Sequence, residues 1–315
     1  MTARSTLLLI VPSKFIEMWT GPLAEMAPDL IVKVQGRDEY DAAGIDYVLT
    51  FRPPPGLLAT FPKLKAVFSL GAGVESLIAD PDYPRRVPLT RFVDHTLSSD
   101  MAQYCVMHTL IHHRRQRDFD ALQQQGKWRQ SMLPRPTAQT RVGVLGMGEI
   151  GTVVAERMRD LDFVTAGWSR TPKDVRGVES FAGQDRLGAF LARSDVLICV
   201  LPLTPQTRHI LNKDTFAALP QGAFVINVAR GGHLKEDDLL AAIDSGHLSG
   251  AALDVFEIEP LPKESPLWHH PRISVTPHVA AISDPRAMAK VAVDGIAAFE
   301  SGRPLENVVD FARGY

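Results

Sequence analysis

The segment Arg141-Val-Gly-Val-Leu-Gly-Met-Gly-Glu-Ile-Gly151 is the strongest indication of the fold class. Its first five residues form a short apolar run typical of a buried strand, and a helical run from Thr152 to Leu161 follows. Between them, Gly146 permits a tight turn, Gly148 lets the main chain approach a pyrophosphate, and Gly151 allows the helix to pack closely on the strand. This order predicts a dinucleotide site at a helix N-terminus. A plain tight turn between strand and helix is the alternative.

A second strand is predicted from Phe163 to Trp168, and it ends at Ser169-Arg170-Thr171. In dinucleotide-binding folds an acidic residue near this position holds the 2′-hydroxyl of the ribose, and this sequence has no acid there. A carboxylate would repel a 2′-phosphate, whereas Ser169, Arg170 and Lys173 can donate hydrogen bonds to it. The sequence therefore favours NADPH, with NADH possible. The alternative is that Arg170 is an ordinary surface residue.

Three polar residues follow in a fixed order: Arg230, Glu259 before Pro260, and His278 after Pro277. Arg230 can hold a carboxylate and polarise the neighbouring carbonyl with its planar set of donors. His278 can transfer a proton if a carboxylate such as Glu259 orients its ring. Each residue alone would more commonly be structural. Their conjunction behind a glycine turn indicates hydride-transfer chemistry on a 2-keto acid.

With these motifs the chain resembles the D-isomer-specific 2-hydroxyacid dehydrogenase family, and within it the glyoxylate/hydroxypyruvate reductase A branch. The resemblance covers nearly the whole sequence. Besides the glycine turn, the matching stretches are Leu70-Gly-Ala-Gly-Val-Glu75, Trp168-Ser-Arg170, Leu201-Pro-Leu-Thr-Pro205, Asn227-Val-Ala-Arg-Gly-Gly232, Leu253-Asp-Val-Phe256, Glu259-Pro-Leu-Pro262, Thr276-Pro-His-Val-Ala-Ala281 and Ala312-Arg-Gly-Tyr315.

The resemblance implies a role for each matching residue. Arg230 would orient the substrate, Glu259 would pair with the histidine, and His278 would be the general acid and base. Asp254 would contact the amide end of the nicotinamide. The substrate-binding residues would be Arg230, His278, Leu70, Gly71, Ala72, Gly73 and Val74. The cofactor-binding residues would be Gly146, Met147, Gly148, Glu149, Ile150, Gly151, Trp168, Ser169, Arg170, Leu201, Pro202, Val228, Ala229, Arg230, Asp254, His278 and Ala280.

The residues around Gly71 also make sense without the resemblance. A glycine loop can bring backbone N–H groups against a small anion, and the alternative is a structural turn after the strand Ala66–Leu70. Upstream, Pro53-Pro-Pro55 is predicted to stiffen a loop that, with Phe51 and Arg52, walls the substrate pocket. Arg52 could contact a polar or acidic substrate tail.

Composition agrees with this interpretation. The 315 residues are 45% apolar, which is enough for two hydrophobic cores, and a net charge of −2 gives no reason to expect nucleic acid. The basic run from His112 to Arg117 is interpreted as a solvated helix face. Cys105 and Cys199 indicate buried thiols in a reducing compartment. No stretch reaches membrane-spanning length, and Leu7–Val11 is too short for a signal-peptide core, so a cytoplasmic location is expected.

No metal site is predicted. His108 and His112 stand four residues apart on a predicted helix, a spacing that can present two imidazoles to a metal. No carboxylate or cysteine pattern completes such a site, so the pair is interpreted as helix surface.

The position of the glycine turn sets the domain organisation. The chain before it alternates apolar strands with helical segments, which predicts a small parallel α/β domain. The predicted strands are Thr6–Val11, Leu30–Val34, Tyr47–Thr50 and Ala66–Leu70, and the helical segments are Phe15–Met26 and Val74–Ile78. A long helix is predicted from Met101 to about Gln125, with Ser98 as its N-cap.

The predicted fold is therefore a Rossmann dinucleotide-binding domain inserted into a smaller flavodoxin-like α/β substrate domain. The predicted boundaries are 1–98 for the substrate domain, 99–283 for the NAD(P)-binding domain, and 284–315 for a helix of roughly Pro285–Ser301 and a tail that return to the substrate domain. Two crossings, near Ser98 and Ser283, predict a hinge with the active site in the cleft.

The expected function is NADPH-dependent reduction of a small 2-keto acid, such as glyoxylate or hydroxypyruvate, with His278 as proton donor. Two alternatives stay open: a dinucleotide-sensing binding protein of the same fold with little turnover, and a dehydrogenase for another 2-hydroxy acid. The intact Arg230, Glu259 and His278 argue against the first. The resemblance implies a homodimer formed through the nucleotide domain, with the long helix and the Trp128 region as candidate contacts. Neither nucleic acid nor a membrane is an expected partner.

Overall fold

The structure is a computed structural model, and it describes residues 4–130, 135–282 and 284–314. The predicted boundary at Ser283 and the motif residue Tyr315 lie outside these residues. The described strands are β1 (Thr6–Ile10), β2 (Ile31–Val34), β3 (Tyr47–Thr50), β4 (Ala66–Ser69), β5 (Leu89–Thr90), β6 (Arg141–Leu145), β7 (Val164–Ser169), β8 (Glu179–Ala182), β9 (Val196–Cys199), β10 (Ala223–Asn227), β11 (Leu248–Leu253) and β12 (Ile273–Val275). The described helices are α1 (Ile16–Met26), α2 (Glu75–Ile78), α3 (His95–His113), α4 (Gln116–Gln124), α5 (Glu149–Asp160), α6 (Leu187–Ala192), α7 (Lys213–Ala218), α8 (Glu236–Asp244) and α9 (Pro285–Glu300).

The described residues divide into two compact units, and the first combines the chain up to Asp94 with residues 284–314. Its parallel sheet has the strand order β2-β1-β3-β4-β5, which is the flavodoxin-like order. Leu7, Leu8 and Leu9 of β1 are fully buried, because helices cover both faces of such a sheet and each strand can be apolar throughout. Helix α9 packs beside α1 in this unit.

The second unit comprises His95–Ile282 and holds the glycine turn. Its sheet is parallel, with the order β12-β11-β10-β9-β6-β7-β8. Strand order reverses between β6 and β9, as it does in the dinucleotide-binding Rossmann fold, where ligands bind outside the carboxyl ends of the strands at this point. The predicted fold class is therefore confirmed, with this unit inserted between the two segments of the first.

Strand register brings the functional motifs of the second unit to one edge of the sheet. Leu145 pairs with Cys199, Cys199 with Asn227, Asn227 with Leu253, and Leu253 with Val275. Each of these residues is the last residue of its strand. The segments that follow these strands therefore start side by side, and they carry the predicted catalytic and cofactor motifs of this unit. The exception is Trp168-Ser-Arg170, which lies at the end of β7.

The predicted long helix differs from the observed one. Helix α3 begins at His95, six residues before the predicted start at Met101, and Ser98 lies inside it as a buried residue instead of capping it. It ends at His113, and Arg115 adopts a left-handed backbone with φ of 57° before α4 begins. The helical pattern continued through this break, but a left-handed residue cannot continue a right-handed helix.

Two histidine interpretations from the sequence are wrong. His112 does not lie on a solvated face, because its ring stacks on Phe224 with the centroids 4.2 Å apart and the planes 11° apart, and burial lowers its pKa to about 4. His108 is buried as well, with its ring 4.4 Å from that of Tyr104. Helix α3 packs against α5 and β10, so these histidines line its inner face.

Both cysteines are buried free thiols, and burial raises the pKa of the Cys199 thiol to about 12. Within the described ranges, no helix combines the length and apolar character that crossing a bilayer requires.

Candidate active site

The glycine turn between β6 and α5 has the shape that its three glycines predict. Gly146 has a φ of +111°, and a Cβ there would lie 3.1 Å from the main chain at Val200 and Leu201. At Gly151 a Cβ would lie 1.7 Å from the carbonyl oxygen of Gly146, so only glycine fits. Gly148 is exposed, and a Cβ there would meet no atom within 4 Å. The N-terminus of α5 therefore opens onto free space, with main-chain donors available to an anion.

The Ser169-Arg170 segment lies next to this turn. Strand β7 pairs with β6, and the N–H of Gly146 donates to the carbonyl of Trp168 at 2.9 Å. The Trp168 side chain is buried and donates to the carbonyl of Gly183 at 2.9 Å. Met147 is buried too, against Gly167. Trp168 and Met147 can therefore contribute only main chain here, while Arg170 presents an exposed side chain.

Arg230 occupies a firmly held backbone position just beyond β10. The side chain of Asn227 donates to the carbonyl of Arg230 at 3.2 Å and accepts the N–H of Ala229 at 3.2 Å. A Cβ at Gly231 would lie 1.8 Å from the carbonyl carbon of Phe256, so only glycine fits at position 231. Asn227 and Gly231 thus set the direction in which Arg230 leaves the sheet edge.

His233 completes this support, and sequence reasoning missed it. The ring is fully buried, with the N–H of Arg230 donating to Nδ1 at 3.2 Å and Nε2 lying 3.2 Å from the carbonyl of Pro202. A carbonyl can only accept, so Nε2 carries a proton, while Nδ1 lies within hydrogen-bond distance of both the N–H and the carbonyl oxygen of Arg230. His233 therefore joins the Arg230 backbone to the loop that follows β9.

His278 and Glu259 form the predicted pair. Nδ1 of His278 lies 2.9 Å from Oε2 of Glu259, while Oε1 of Glu259 accepts the N–H of Phe256 at 3.1 Å. Because a carboxylate only accepts, Nδ1 carries a proton and Nε2 is the ring atom left for proton transfer. The His278 side chain is 38% exposed, so the ring is accessible from outside.

Asp254 anchors the loop that carries this histidine. Three successive N–H groups converge on it: His278 donates to its carbonyl at 2.8 Å, Val279 to Oδ1 at 2.9 Å and Ala280 to Oδ2 at 3.0 Å. These bonds hold His278 in a left-handed backbone conformation with φ of 56°, which is uncommon for a side-chain-bearing residue and is enriched at functional sites.

A further hydrogen bond links this anchor to helix α3. The hydroxyl of Thr276 donates to Oδ1 of Asp254 at 2.6 Å and lies 2.7 Å from the hydroxyl of Tyr104. Because the proton of Thr276 is committed to the carboxylate, Tyr104 is the donor in the second contact. The buried Asp254 carboxylate thus accepts three bonds from the protein. A contact with a nicotinamide amide would have to use the remaining lone pair on Oδ2.

The predicted carboxylate loop belongs to the first unit. It follows β4, with Leu70 and Val74 buried and the three residues between them, Gly71, Ala72 and Gly73, partly exposed. Gly71 is bracketed by Ser69, whose hydroxyl lies 3.1 Å from both the N–H and the carbonyl oxygen of Gly71. The ring of Phe51 lies against Gly71, since a Cβ at Gly71 would be 2.9 Å from Cε2 of Phe51.

The structure thus gathers most of the predicted site residues in the second unit. The segments that carry Gly146–Gly151, Leu201–Pro202, Val228–Arg230, Asp254 and His278–Ala280 all leave the carboxyl edge of one sheet. Glu259 joins them through His278. Residues 70–74 lie in the first unit. His233, Thr276 and Tyr104 were missed, since each acts through partners distant in sequence.

The same fold occurs in known proteins. A family model described as D-isomer specific 2-hydroxyacid dehydrogenase, NAD binding domain, matches residues 106–280. The chain is 40% identical over 304 residues to a glyoxylate/hydroxypyruvate reductase A from Yersinia enterocolitica, which covers 95% of this chain and 96% of the relative. A crystal structure of a D-isomer specific 2-hydroxyacid dehydrogenase from Xanthobacter autotrophicus Py2 in complex with NADPH and MES superposes with a TM-score of 0.94 at 42% identity, covering 99% of this chain and 100% of that one. An NADPH-dependent glyoxylate/hydroxypyruvate reductase from Sinorhizobium meliloti, in complex with NADP and sulfate, gives a TM-score of 0.93 at 41% identity, with coverage of 99% and 100%.

Proposed function

Because the chain belongs to the D-isomer-specific 2-hydroxyacid dehydrogenase family and is an NAD(P)-dependent dehydrogenase of that family, we propose that it reduces a small 2-keto acid, glyoxylate or hydroxypyruvate, with NADPH. The observation that carries this proposal is the pairing of His278 with Glu259 at 2.9 Å on a loop anchored by Asp254. A protein that only sensed a dinucleotide would have no use for an oriented proton donor.

The residues around the glycine turn fit a dinucleotide. The open space at Gly148, the left-handed turn at Gly146 and the N-terminus of the twelve-residue helix α5 suit a pyrophosphate. The exposed Arg170 supports NADPH over NADH, because its guanidinium can donate to a 2′-phosphate. The hydroxyl of Ser169 donates to the carbonyl of Thr171 at 2.7 Å, so Ser169 contributes the absence of a repelling carboxylate and not a donor. Crystal structures of two relatives contain NADPH or NADP, which supports the same preference.

In the proposed mechanism, the nicotinamide supplies the hydride when it is bound. Arg230 binds the substrate carboxylate and polarises the keto oxygen through its planar guanidinium. Asn227 and His233 hold the main chain of Arg230 in place by hydrogen bonds. His278 delivers a proton from Nε2 to the developing alkoxide, and Glu259 fixes the ring by accepting from Nδ1. In the reverse reaction the neutral ring accepts that proton.

We extend the proposal to the first unit, to assembly and to location. The main chain of residues 71–74 binds the substrate carboxylate, supported by the partly exposed loop and by the lack of a side chain at Gly71 and Gly73. The N–H groups after Gly71 are the donors, because that of Gly71 donates to the hydroxyl of Ser69. The chain forms a homodimer, supported by Trp128, which is 94% exposed. It works in the cytoplasm, in keeping with the free thiols of Cys105 and Cys199.

Steady-state kinetics with a panel of 2-keto acids at fixed NADPH, repeated with NADH, tests this function. We expect turnover of glyoxylate and hydroxypyruvate, with a higher kcat/KM for NADPH than for NADH. Tight NADPH binding without turnover of any keto acid would favour the sensing protein instead. A strong preference for a larger 2-keto acid would support the proposed reaction but show that glyoxylate and hydroxypyruvate are not its preferred substrates.

A further inference from the structure

Phe51-Arg52 and Leu70-Gly71 leave the carboxyl ends of two neighbouring strands in the first unit. Strands β3 and β4 are parallel, Thr50 pairs with Ser69, and the N–H of Leu70 donates to the carbonyl of Thr50 at 2.8 Å. The two segments therefore start side by side. Whatever the main chain of residues 71–74 binds has the side chains of residues 51 and 52 as immediate neighbours.

Phe51 forms the contact between these segments. The Cε2 atom of its ring would be 2.9 Å from a Cβ at Gly71, so the aromatic ring fills the place that a side chain would occupy. At the same time the Phe51 side chain remains 42% exposed, although it is large and apolar. A half-exposed aromatic ring packed on a glycine loop is typical of the wall of a small-molecule site.

Arg52 places a cation on this wall. Its guanidinium lies over the Phe51 ring at 5.3 Å from the centroid, within the range of a cation–π interaction. The side chain is exposed, and among the described residues none forms an ion pair with it. A cation–π contact uses none of the five guanidinium N–H donors in a hydrogen bond. Such an arrangement suits a second anionic group.

We propose that Arg52 is a specificity-determining residue that binds an anionic group at the far end of the 2-keto acid. This inference rests on the proposed function, since it takes the substrate carboxylate to be bound by the main chain of residues 71–74. A substrate with one carboxylate on that loop and a second acidic group beyond the keto carbon satisfies both sites. The preferred class is then the four- or five-carbon 2-keto diacids, ahead of keto acids with neutral tails.

Matched pairs of keto acids test the assignment. We would measure kcat/KM with NADPH for 2-oxopentanedioate against 2-oxopentanoate, for 2-oxobutanedioate against 2-oxobutanoate, and for glyoxylate, which has no tail. A phosphorylated hydroxypyruvate provides a further arm that separates a phosphate tail from a carboxylate tail. The wild-type protein should prefer an anionic tail in at least one pair, with the discrimination expressed mainly in KM.

In Arg52→Gln this preference should fall about tenfold, the lower end of what losing one charge-assisted hydrogen bond causes at an exposed site. Thermal unfolding of the variant should match that of the wild type and thereby report an intact fold, while glyoxylate, which has no tail, should lose less kcat/KM than the diacids. Arg85→Gln is the matched control, because Arg85 is a cation of the same unit that stacks on Phe311 at 4.4 Å. That variant makes the same charge change and should leave the preference as it is.

Failure of this assignment is distinguishable from failure of the proposed function. Turnover of keto acids with no wild-type preference for anionic tails, or with the same preference in Arg52→Gln, would overturn the role of Arg52 and leave the reductase intact. An equal loss in Arg85→Gln would show a nonspecific effect of net charge and would also overturn it. Absence of turnover with every keto acid would refute both the proposed reductase function and the role of Arg52.

Discussion

Glu259 serves two hydrogen-bond donors at once, and this sets the effect of replacing it. One oxygen accepts the N–H of Phe256 at 3.1 Å and the other contacts Nδ1 of His278 at 2.9 Å. Glutamine has the same shape but only one acceptor oxygen. In Glu259→Gln the amide nitrogen must therefore face one of the two donors. Either the turn at Phe256 loosens or the imidazolium loses its partner.

The expected size of the effect follows from that unpaired donor. A donor left without its acceptor costs about 1–3 kcal/mol, and the Glu259 side chain, at 27% exposure, is only partly relieved by water. If the cost falls on the protonated ring that reduction requires, kcat/KM for the keto acid decreases about 10- to 100-fold. Binding of NADPH should hardly change, because none of the contacts in question belongs to the glycine turn.

Steady-state kinetics with glyoxylate and NADPH measures this effect, with thermal unfolding as a check on the fold. Glu257→Gln is the control, since Glu257 lies two residues away and pairs with Arg208 at 2.9 Å, with the two side chains 45% and 48% exposed. Its kinetics should stay within about twofold of wild type, as expected for a surface pair. Wild-type rates in Glu259→Gln, or an equal loss in Glu257→Gln, would refute the pairing.

Three further variants test other parts of the structure. Arg170→Ala should raise KM for NADPH about 10- to 100-fold with little change for NADH, and an equal change for both would place the 2′-phosphate elsewhere. Arg230→Lys keeps the charge but loses the planar fork, so kcat/KM for the keto acid should fall while NADPH affinity is retained; unchanged kinetics would remove Arg230 from the site. Hydrogen bonds from Lys65 and Tyr47 lower the pKa of Glu300 from 4.5 to about 2. Because the folded value is the lower one, this stabilisation is present above about pH 4.5 and is lost as the pH falls toward 2. Urea unfolding should show Glu300→Gln destabilised by about 1 kcal/mol at pH 7, allowing for its 45% exposure, and the difference should shrink in acid; a difference independent of pH would exclude this ion pair as its source.

Local sequence patterns were sufficient to predict much of the fold. The strand Arg141–Leu145 and the strand Tyr47–Thr50 have the predicted bounds, since continuous apolar runs flanked by turn residues are typical of buried parallel strands. The glycine turn was predictable because its requirements are steric and local. The family assignment is confirmed by the match over residues 106–280.

Other features depend on partners that no local pattern reveals. The break at Arg115 leaves the helical periodicity intact on both sides, so the sequence favoured one long helix. His233 acts through the carbonyl of Pro202, 31 residues away, and Tyr104 acts through Thr276, 172 residues away. Asp254 was assigned to the cofactor by resemblance alone. Its three hydrogen bonds to residues 276–280 became apparent only once β11 and β12 were paired.

Turnover of His278→Ala with glyoxylate and NADPH tests the assignment of the proton donor most directly. We expect kcat to fall on the order of 10²- to 10⁴-fold, with NADPH binding retained. A His278→Ala variant that reduces glyoxylate at near wild-type rates would contradict the catalytic assignment.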